Sequence, residues 1–129
     1  MATWKYLSKY GPRNPPTDKL YRTKDMEKKY MEHLSVLKKN NIQTHDYIMK
    51  TAFPNRELYS FLPNTFPYDL QKGILHWLLW VSPNVDLDLD TITQIIYDKF
   101  GSNCVFFRNI PTNQSIKSIS HYHIFICKD

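Results

Sequence analysis

The stretch ILHWLLWVS, residues 74–82, decides the fold, because it is apolar on both faces of an extended chain. Residues i and i+2 of a β-strand point to the same side, so His76 and Trp80 would lie on one face and Trp77 and Leu79 on the other. A strand that is apolar on both faces needs cover on both sides of its sheet. The stretch therefore predicts a sheet that other elements cover on both sides.

Two further strands are predicted near the end of the chain. They are CVFFRNI, residues 104–110, and SHYHIFIC, residues 120–127, joined by a polar loop. In the second of them, His121 and His123 would stand side by side on one face. This arrangement favours an antiparallel pairing of the late strands.

Helices are predicted from apolar residues at helical spacing and from their caps. The first would begin at Thr23 as its cap, the second at Thr44, and the third at Asp90, with Gly101 just past its end. Residues 58–74 have neither a helical nor an alternating period, which predicts an ordered loop.

The order of elements predicts an α+β fold with a small antiparallel sheet, helices packed on it and a basic helical N-terminal half. Residues 1–22 contain the run GPRNPP and are predicted to form an N-terminal arm with aromatic anchors. Residues 23–129 are predicted to form a single domain, since a chain of 129 residues is sufficient for one core.

The charge is concentrated in the first half of the chain. Residues 1–56 contain 12 Lys or Arg and 5 Asp or Glu, a net +7, which leaves 5 minus 7, or −2, for residues 57–129. A basic half of this kind suits an acidic partner, so nucleic acid is an alternative partner.

The cysteine content and the apolar runs indicate the compartment. Cys104 and Cys127 are the two cysteines, and their number and spacing suggest neither a disulfide framework nor a metal knuckle. The longest apolar run is far shorter than the roughly 20 residues that span a bilayer. We therefore expect a soluble, cytoplasmic protein that does not insert into membranes.

The three histidines in predicted strands, His76, His121 and His123, form the predicted site. If their strands are neighbours, the three imidazoles would converge, whereas His33 and His45 are interpreted as ordinary surface residues of helices. Polar side chains just before the late pair could bind phosphate or sugar hydroxyls, and two aromatic residues are added as ligand contacts. These predicted ligand-binding residues are Arg108, Asn109, Gln114, Ser115, Lys117, Ser118, Trp77 and Tyr68.

Two runs of the sequence resemble an uncharacterised domain family that includes the fungal N-acetylglucosamine-induced protein. They are FLPNTFPYDLQKGILHWLLW, residues 61–80, and NIPTNQSIKSISHYHIF, residues 109–125. The family's Phe-Pro-Tyr, His-Trp and His-x-His elements recur here in order, at Phe66–Tyr68, His76–Trp77 and His121–His123. The resemblance implies a shared fold and site over roughly residues 20–127, and no particular reaction.

A weaker resemblance is to the histidine-triad nucleotide hydrolases and transferases. In that alignment His121 matches the first histidine and His123 the central one, which attacks phosphorus, while Phe125 stands where the third histidine would be. The resemblance implies catalysis by a neutral imidazole whose second nitrogen is fixed by a hydrogen bond.

The sequence thus predicts binding, with hydrolysis or transfer as a further expectation, of a small phosphorylated molecule such as a nucleotide or sugar nucleotide. His123 would be the reactive imidazole, and no cofactor is expected. The alternative is a non-enzymatic binding module for an acidic partner, with the His pair structural. In a further alternative, His76, His121 and His123 would ligate a metal ion.

Overall fold

The computed structural model describes residues 1–108 and 119–128. It confirms the predicted α+β class, with one antiparallel sheet in the order β1-β2-β4-β3. In chain order the elements are α1 (Trp4–Leu7), α2 (Lys24–Lys39), α3 (Thr44–Ala52), β1 (Tyr59–Pro63), β2 (Ile74–Val81), α4 (Leu89–Phe100), β3 (Val105–Phe107) and β4 (His121–Cys127).

The predicted strand at 74–82 is present as β2 and lies inside the sheet. It pairs with β1 on one side and with β4 on the other, so its backbone groups bond in both directions. Its alternation predicted the two faces correctly, since Leu79 packs towards α4 and Trp80 towards α3.

Helix α4 covers one face of the sheet. Ile92 and Ile96 of this helix are buried against Leu79, Val81 and other sheet residues. The helix begins one residue after Asp88, whose carboxylate accepts a hydrogen bond from the Thr91 N–H at 2.8 Å. The predicted cap at Asp90 is therefore wrong by two residues, because Asp88 is the side chain that reaches an unpaired N–H of the first turn.

The other face is covered by the N-terminal segment together with α3. Leu7 of α1 is fully buried against Phe107 and Phe125, so the predicted arm contributes directly to the core. Phe53, the residue after α3, packs in a second cluster that includes Trp80. This covered face also contains the histidines.

Two of the sequence predictions for the first half need correction. Residues 58–74 were expected to form a loop, yet Tyr59–Pro63 form the edge strand β1. The backbone hydrogen bonds to the buried strand β2 hold these residues in a strand, although their own sequence pattern does not predict one. Thr44 is the first residue of α3 and Gln43 its cap, whereas Thr23 caps α2 as predicted.

Each helix in the described part of the chain is too short or too polar to cross a membrane.

Candidate functional site

The three strand histidines lie on one face of the sheet. In the register of β2 with β4, Leu78 is opposite His123 and Trp80 is opposite His121. His76 is opposite Phe125, two residues from His123, so the two histidines are diagonal neighbours. Large side chains at diagonal positions on one face of a sheet can contact each other. The predicted convergence of the three rings is therefore confirmed.

His76 and His123 form a buried hydrogen bond. His76 Nε2 and His123 Nδ1 are 2.8 Å apart, and the side chains are 6% and 5% exposed. The ring of Tyr68 is stacked on His123, with the centroids 5.3 Å apart, and also contacts His76. This aromatic cover removes both imidazoles from water.

Burial keeps the imidazoles neutral. Desolvation lowers the pKa of His76 to about 3, with smaller electrostatic contributions from Arg22 and from His121. Desolvation also lowers the pKa of His123 well below its usual value, and His76 and His121 lower it further. A neutral imidazole has one N–H and one lone pair, so the positions of these protons determine the chemistry of the site.

The hydrogen-bond partners of His76 indicate which of its ring nitrogens carries the proton. The backbone N–H of Tyr68 donates to His76 Nδ1 at 3.4 Å, so this nitrogen provides the lone pair. The proton of His76 is then on Nε2 and is donated to His123 Nδ1. His123 consequently has its own proton on Nε2.

His121 has the opposite tautomer. Its Nδ1–H donates to the carbonyl oxygen of Ile119 at 3.2 Å, which leaves the lone pair on Nε2. Desolvation lowers the pKa of His121, although the bond to Ile119 acts in the other direction and Arg108 adds a small lowering effect. Among the described residues, His121 Nε2 has no hydrogen-bond partner. This imidazole can therefore accept a proton or a hydrogen bond.

His121 and His123 line a cavity of about 180 Å³ between the sheet, α2 and α3. Its walls are largely apolar and include the aromatic rings of Tyr30, Tyr47 and Phe66. Polar groups are also present, and none of the lining residues in the described ranges is an Asp or a Glu. A cavity with aromatic walls and a few polar groups is typical of small-molecule sites.

Arg22 supplies the positive charge of the cavity. Its guanidinium lies 4.0 Å over the ring of Tyr30, and its Nε donates to the carbonyl oxygen of Phe66 at 2.8 Å. The contact with Glu27 is long, at 3.4 Å, and the arginine side chain is 17% exposed. These contacts hold the guanidinium in place while leaving donors for an anion.

Sequence reasoning missed Arg22 and His33. His33 was interpreted as a surface residue, yet it is half-buried and lines the cavity, with its ring 5.1 Å from that of Phe66. A signal was present, because His33 lies next to Leu34 and three residues after Tyr30 on the apolar stripe of α2. His45 is exposed, as predicted.

The predicted ligand-binding residues are only partly brought to the histidines. Tyr68 lies against them, whereas Trp77 packs against Phe100 of α4 on the opposite face. Arg108 is exposed and lies over the ring of Tyr122, also on that opposite face, because strand residues alternate in direction. The other predicted contacts lie outside the described residues, namely Asn109, Gln114, Ser115, Lys117 and Ser118.

No set of three or more His, Cys, Asp or Glu side chains within residues 1–108 and 119–128 is arranged to hold a metal ion. The two shortest-spaced imidazoles, His76 and His123, are hydrogen-bonded to each other through the nitrogens that would face a shared ion. The alternative of three histidine ligands for a metal therefore lacks support in this geometry.

The fold and the site define an α+β protein with three buried, neutral histidines beside an aromatic cavity. Residues 3–127 match the family described as Protein of unknown function (DUF3605), and the chain belongs to this family. The predicted membership of an uncharacterised domain family is thus confirmed. The links to the N-acetylglucosamine-induced protein and to the histidine-triad enzymes stay predictions.

The fold is similar to one known from crystallography. The chain matches the crystal structure of a protein named HTC1 with a TM-score of 0.64 and 18% identity, over 98% of this chain and 85% of that one. At this identity the similarity shows the fold alone. No curated protein matches the chain.

Proposed function

We propose that the protein binds a small phosphorylated molecule, such as a nucleotide or sugar nucleotide, in the cavity beside His121 and His123, and that it hydrolyses or transfers the phosphoryl group. The observation that carries this proposal is the combination of Arg22 with the lone pair of His121 in one cavity without a lining carboxylate among the described residues.

The charge of the cavity favours an anion. Arg22 is tethered through Phe66 and Tyr30, so little side-chain entropy is lost when its remaining donors bind a phosphate oxygen. A half-buried guanidinium in an aromatic environment also attracts an anion more strongly than an exposed one would, because the local dielectric constant is lower.

The size and walls of the cavity favour a ring. An apolar protein cavity of about 150 Å³ holds one benzene molecule, so about 180 Å³ accommodates roughly one ring. The rings of Tyr47 and Phe66 offer stacking or edge contacts to it. A larger ligand such as a sugar nucleotide would place one ring inside and extend towards solvent.

The neutral histidines offer the chemistry for a reaction at phosphorus. His121 Nε2 can take a proton from an attacking group or can itself attack, while the bond to Ile119 fixes its tautomer. The role of His123 as the attacking imidazole stays a prediction. It would require the proton of the His76–His123 bond to move so that His123 Nε2 holds the lone pair.

A panel of ligands tests the proposal. Nucleoside monophosphates, sugar phosphates and sugar nucleotides are added singly in a thermal-shift assay, with the unphosphorylated nucleosides and sugars as controls. We expect at least one phosphorylated compound to raise the melting temperature while its unphosphorylated form does not. Phosphorus NMR of the stabilising compounds then detects turnover, and binding without turnover would favour the non-enzymatic module.

A further inference from the structure

We propose that His33 and His121 form an acid–base pair that cleaves a phosphate ester in the cavity, with His121 as the base, His33 as the acid and Arg22 as the phosphate anchor. This inference rests on the proposed function and assigns its reaction. It departs from the sequence prediction, in which His123 attacks phosphorus.

His33 occupies a position on α2 that otherwise suits apolar side chains. Its ring lies 4.9 Å from that of Tyr47 and 5.1 Å from that of Phe66, and it lines the same cavity as His121. Within the described ranges, neither of its ring nitrogens has a hydrogen-bond partner. A polar ring that lines a cavity and has no partner among the described residues is available to a ligand.

His121 and His33 differ in exposure and in hydrogen bonding, as the base and the acid of a reaction commonly do. His121 is 9% exposed, and its bond to Ile119 fixes the lone pair on Nε2, the form needed to accept a proton. His33 is half-buried, so its ring can regain a proton from solvent after each turnover. A pair of titratable groups in such different environments is typical of acid–base catalysis.

The charged and titratable groups around the pair come from several elements, and the carboxylate of Glu27 pairs with Arg22 at 3.4 Å. Arg22 lies beside the N-terminus of α2, Tyr47 faces His33 from α3, and His123 stands next to His121 on β4. Arg108 is the further charge that acts on His121. Burial favours a neutral His121 in the free protein, and a bound phosphate anion would stabilise its imidazolium form.

The reaction balances without a metal or a redox partner. Water attacks the phosphorus atom, and His121 Nε2 accepts one proton from that water. The bond between phosphorus and the ester oxygen breaks, and the leaving oxygen takes the proton of the His33 imidazolium. His121 ends protonated and His33 neutral; His121 then releases a proton to solvent and His33 takes one up, which restores the starting state.

Two probes with different leaving groups test the acid. 4-Nitrophenolate leaves without a proton, whereas the alkoxide of a methyl ester needs one, so thymidine 5′-(4-nitrophenyl phosphate) is compared with thymidine 5′-(methyl phosphate). We expect His33→Asn to lower kcat for the methyl ester by about 10²-fold or more and to change the nitrophenyl ester little. His121→Asn should lower both by a similar factor, because both reactions need the base.

The control is His45→Asn, which changes an exposed histidine on α3 and should leave both rates unchanged. Melting temperatures are compared for all variants, and His33→Gln serves as a second variant if His33→Asn unfolds. Equal loss of both rates in the His33 variants, or no loss, would overturn the acid role. A wild-type protein that binds thymidine 5′-phosphate in calorimetry but cleaves neither ester would overturn the inference and leave the proposed binding intact.

Discussion

His76 and His123 are 47 residues apart in the chain, and their ring nitrogens are 2.8 Å apart in the fold. The bond joins the two central strands through their side chains, in a buried place where the loss of a hydrogen bond is costly. This one contact therefore links the stability of the sheet to the protonation of the site.

The stability costs of replacing His76 and His123 should not be additive. His76→Phe or His123→Phe alone removes this buried hydrogen bond from the remaining imidazole and should lower the free energy of unfolding by about 1–3 kcal/mol. The double variant should cost less than the sum, because two apolar rings can pack among Tyr68 and Phe125. Urea unfolding of the four proteins measures the difference, and strictly additive losses would argue against the bond.

The tautomers are directly observable. We expect two-bond ¹H–¹⁵N spectra at neutral pH to show the proton on Nε2 for His76 and His123, and on Nδ1 for His121. His45 provides an exposed reference in the same spectrum. A His123 signal with the proton on Nδ1 would reverse the assignment of the pair.

Acid should destabilise the fold well above the pKa range of ordinary carboxyl groups. The pKa of His76 is about 3 in the folded protein and near 6.5 when unfolded, so only the unfolded chain binds its proton between those values. The pKa values of His121 and His123 are lowered in the same direction. Stability is therefore complete above about pH 6.5 and falls as the pH falls towards about 3.

Urea unfolding at about pH 7, 6 and 5 measures this linkage, before most carboxyl groups titrate. We expect the midpoint to fall at each step, with a smaller dependence in the double variant His76→Phe/His123→Phe, which lacks two of the buried imidazoles. A midpoint that is constant between about pH 7 and 5 would contradict the burial of neutral histidines.

The strands and helices with strong local patterns could be predicted from the sequence. The two-sided apolar run of β2 and the caps Thr23 and Gly101 are local signals, and the structure confirms them. Equal parity of His121 and His123 predicted their shared face. The diagonal contact with His76 depends on the pairing of β2 with β4, which could be stated from the sequence only as a condition.

Other features depend on contacts between residues that are distant in sequence. Strand β1 contains Pro63 and takes its order from pairing with β2, so its sequence alone resembles a loop. Arg22 precedes α2 and reaches the cavity only because Phe66, 44 residues later, accepts its hydrogen bond. His33 lines the cavity because α2 packs over it. Helical periodicity can indicate that His33 faces inward, but it cannot show which part of the protein His33 contacts.

The basic face of α2 tests the alternative macromolecular role. Changing Lys28, Lys29, Lys38 and Lys39 to Glu should leave folding and small-ligand binding nearly unchanged, since all four side chains are exposed and away from the cavity. Any binding to nucleic acid should weaken and lose part of its salt dependence. Fluorescence anisotropy with a labelled oligonucleotide measures this, and no affinity in the unchanged protein, or equal affinity in the variant, would remove that role.

Calorimetric titration with phenylphosphonate, a one-ring phosphate analogue that cannot be hydrolysed, tests the central claim most directly. We predict binding to the unchanged protein that falls by about tenfold or more in Arg22→Gln, because a hydrogen-bonded charge pair contributes roughly 1.5–3 kcal/mol. The matched variant Arg13→Gln, which changes an arginine side chain that is 77% exposed, should bind as well as the unchanged protein. No binding to the unchanged protein, or equal binding by Arg22→Gln with its melting temperature retained, would contradict an anion site in this cavity.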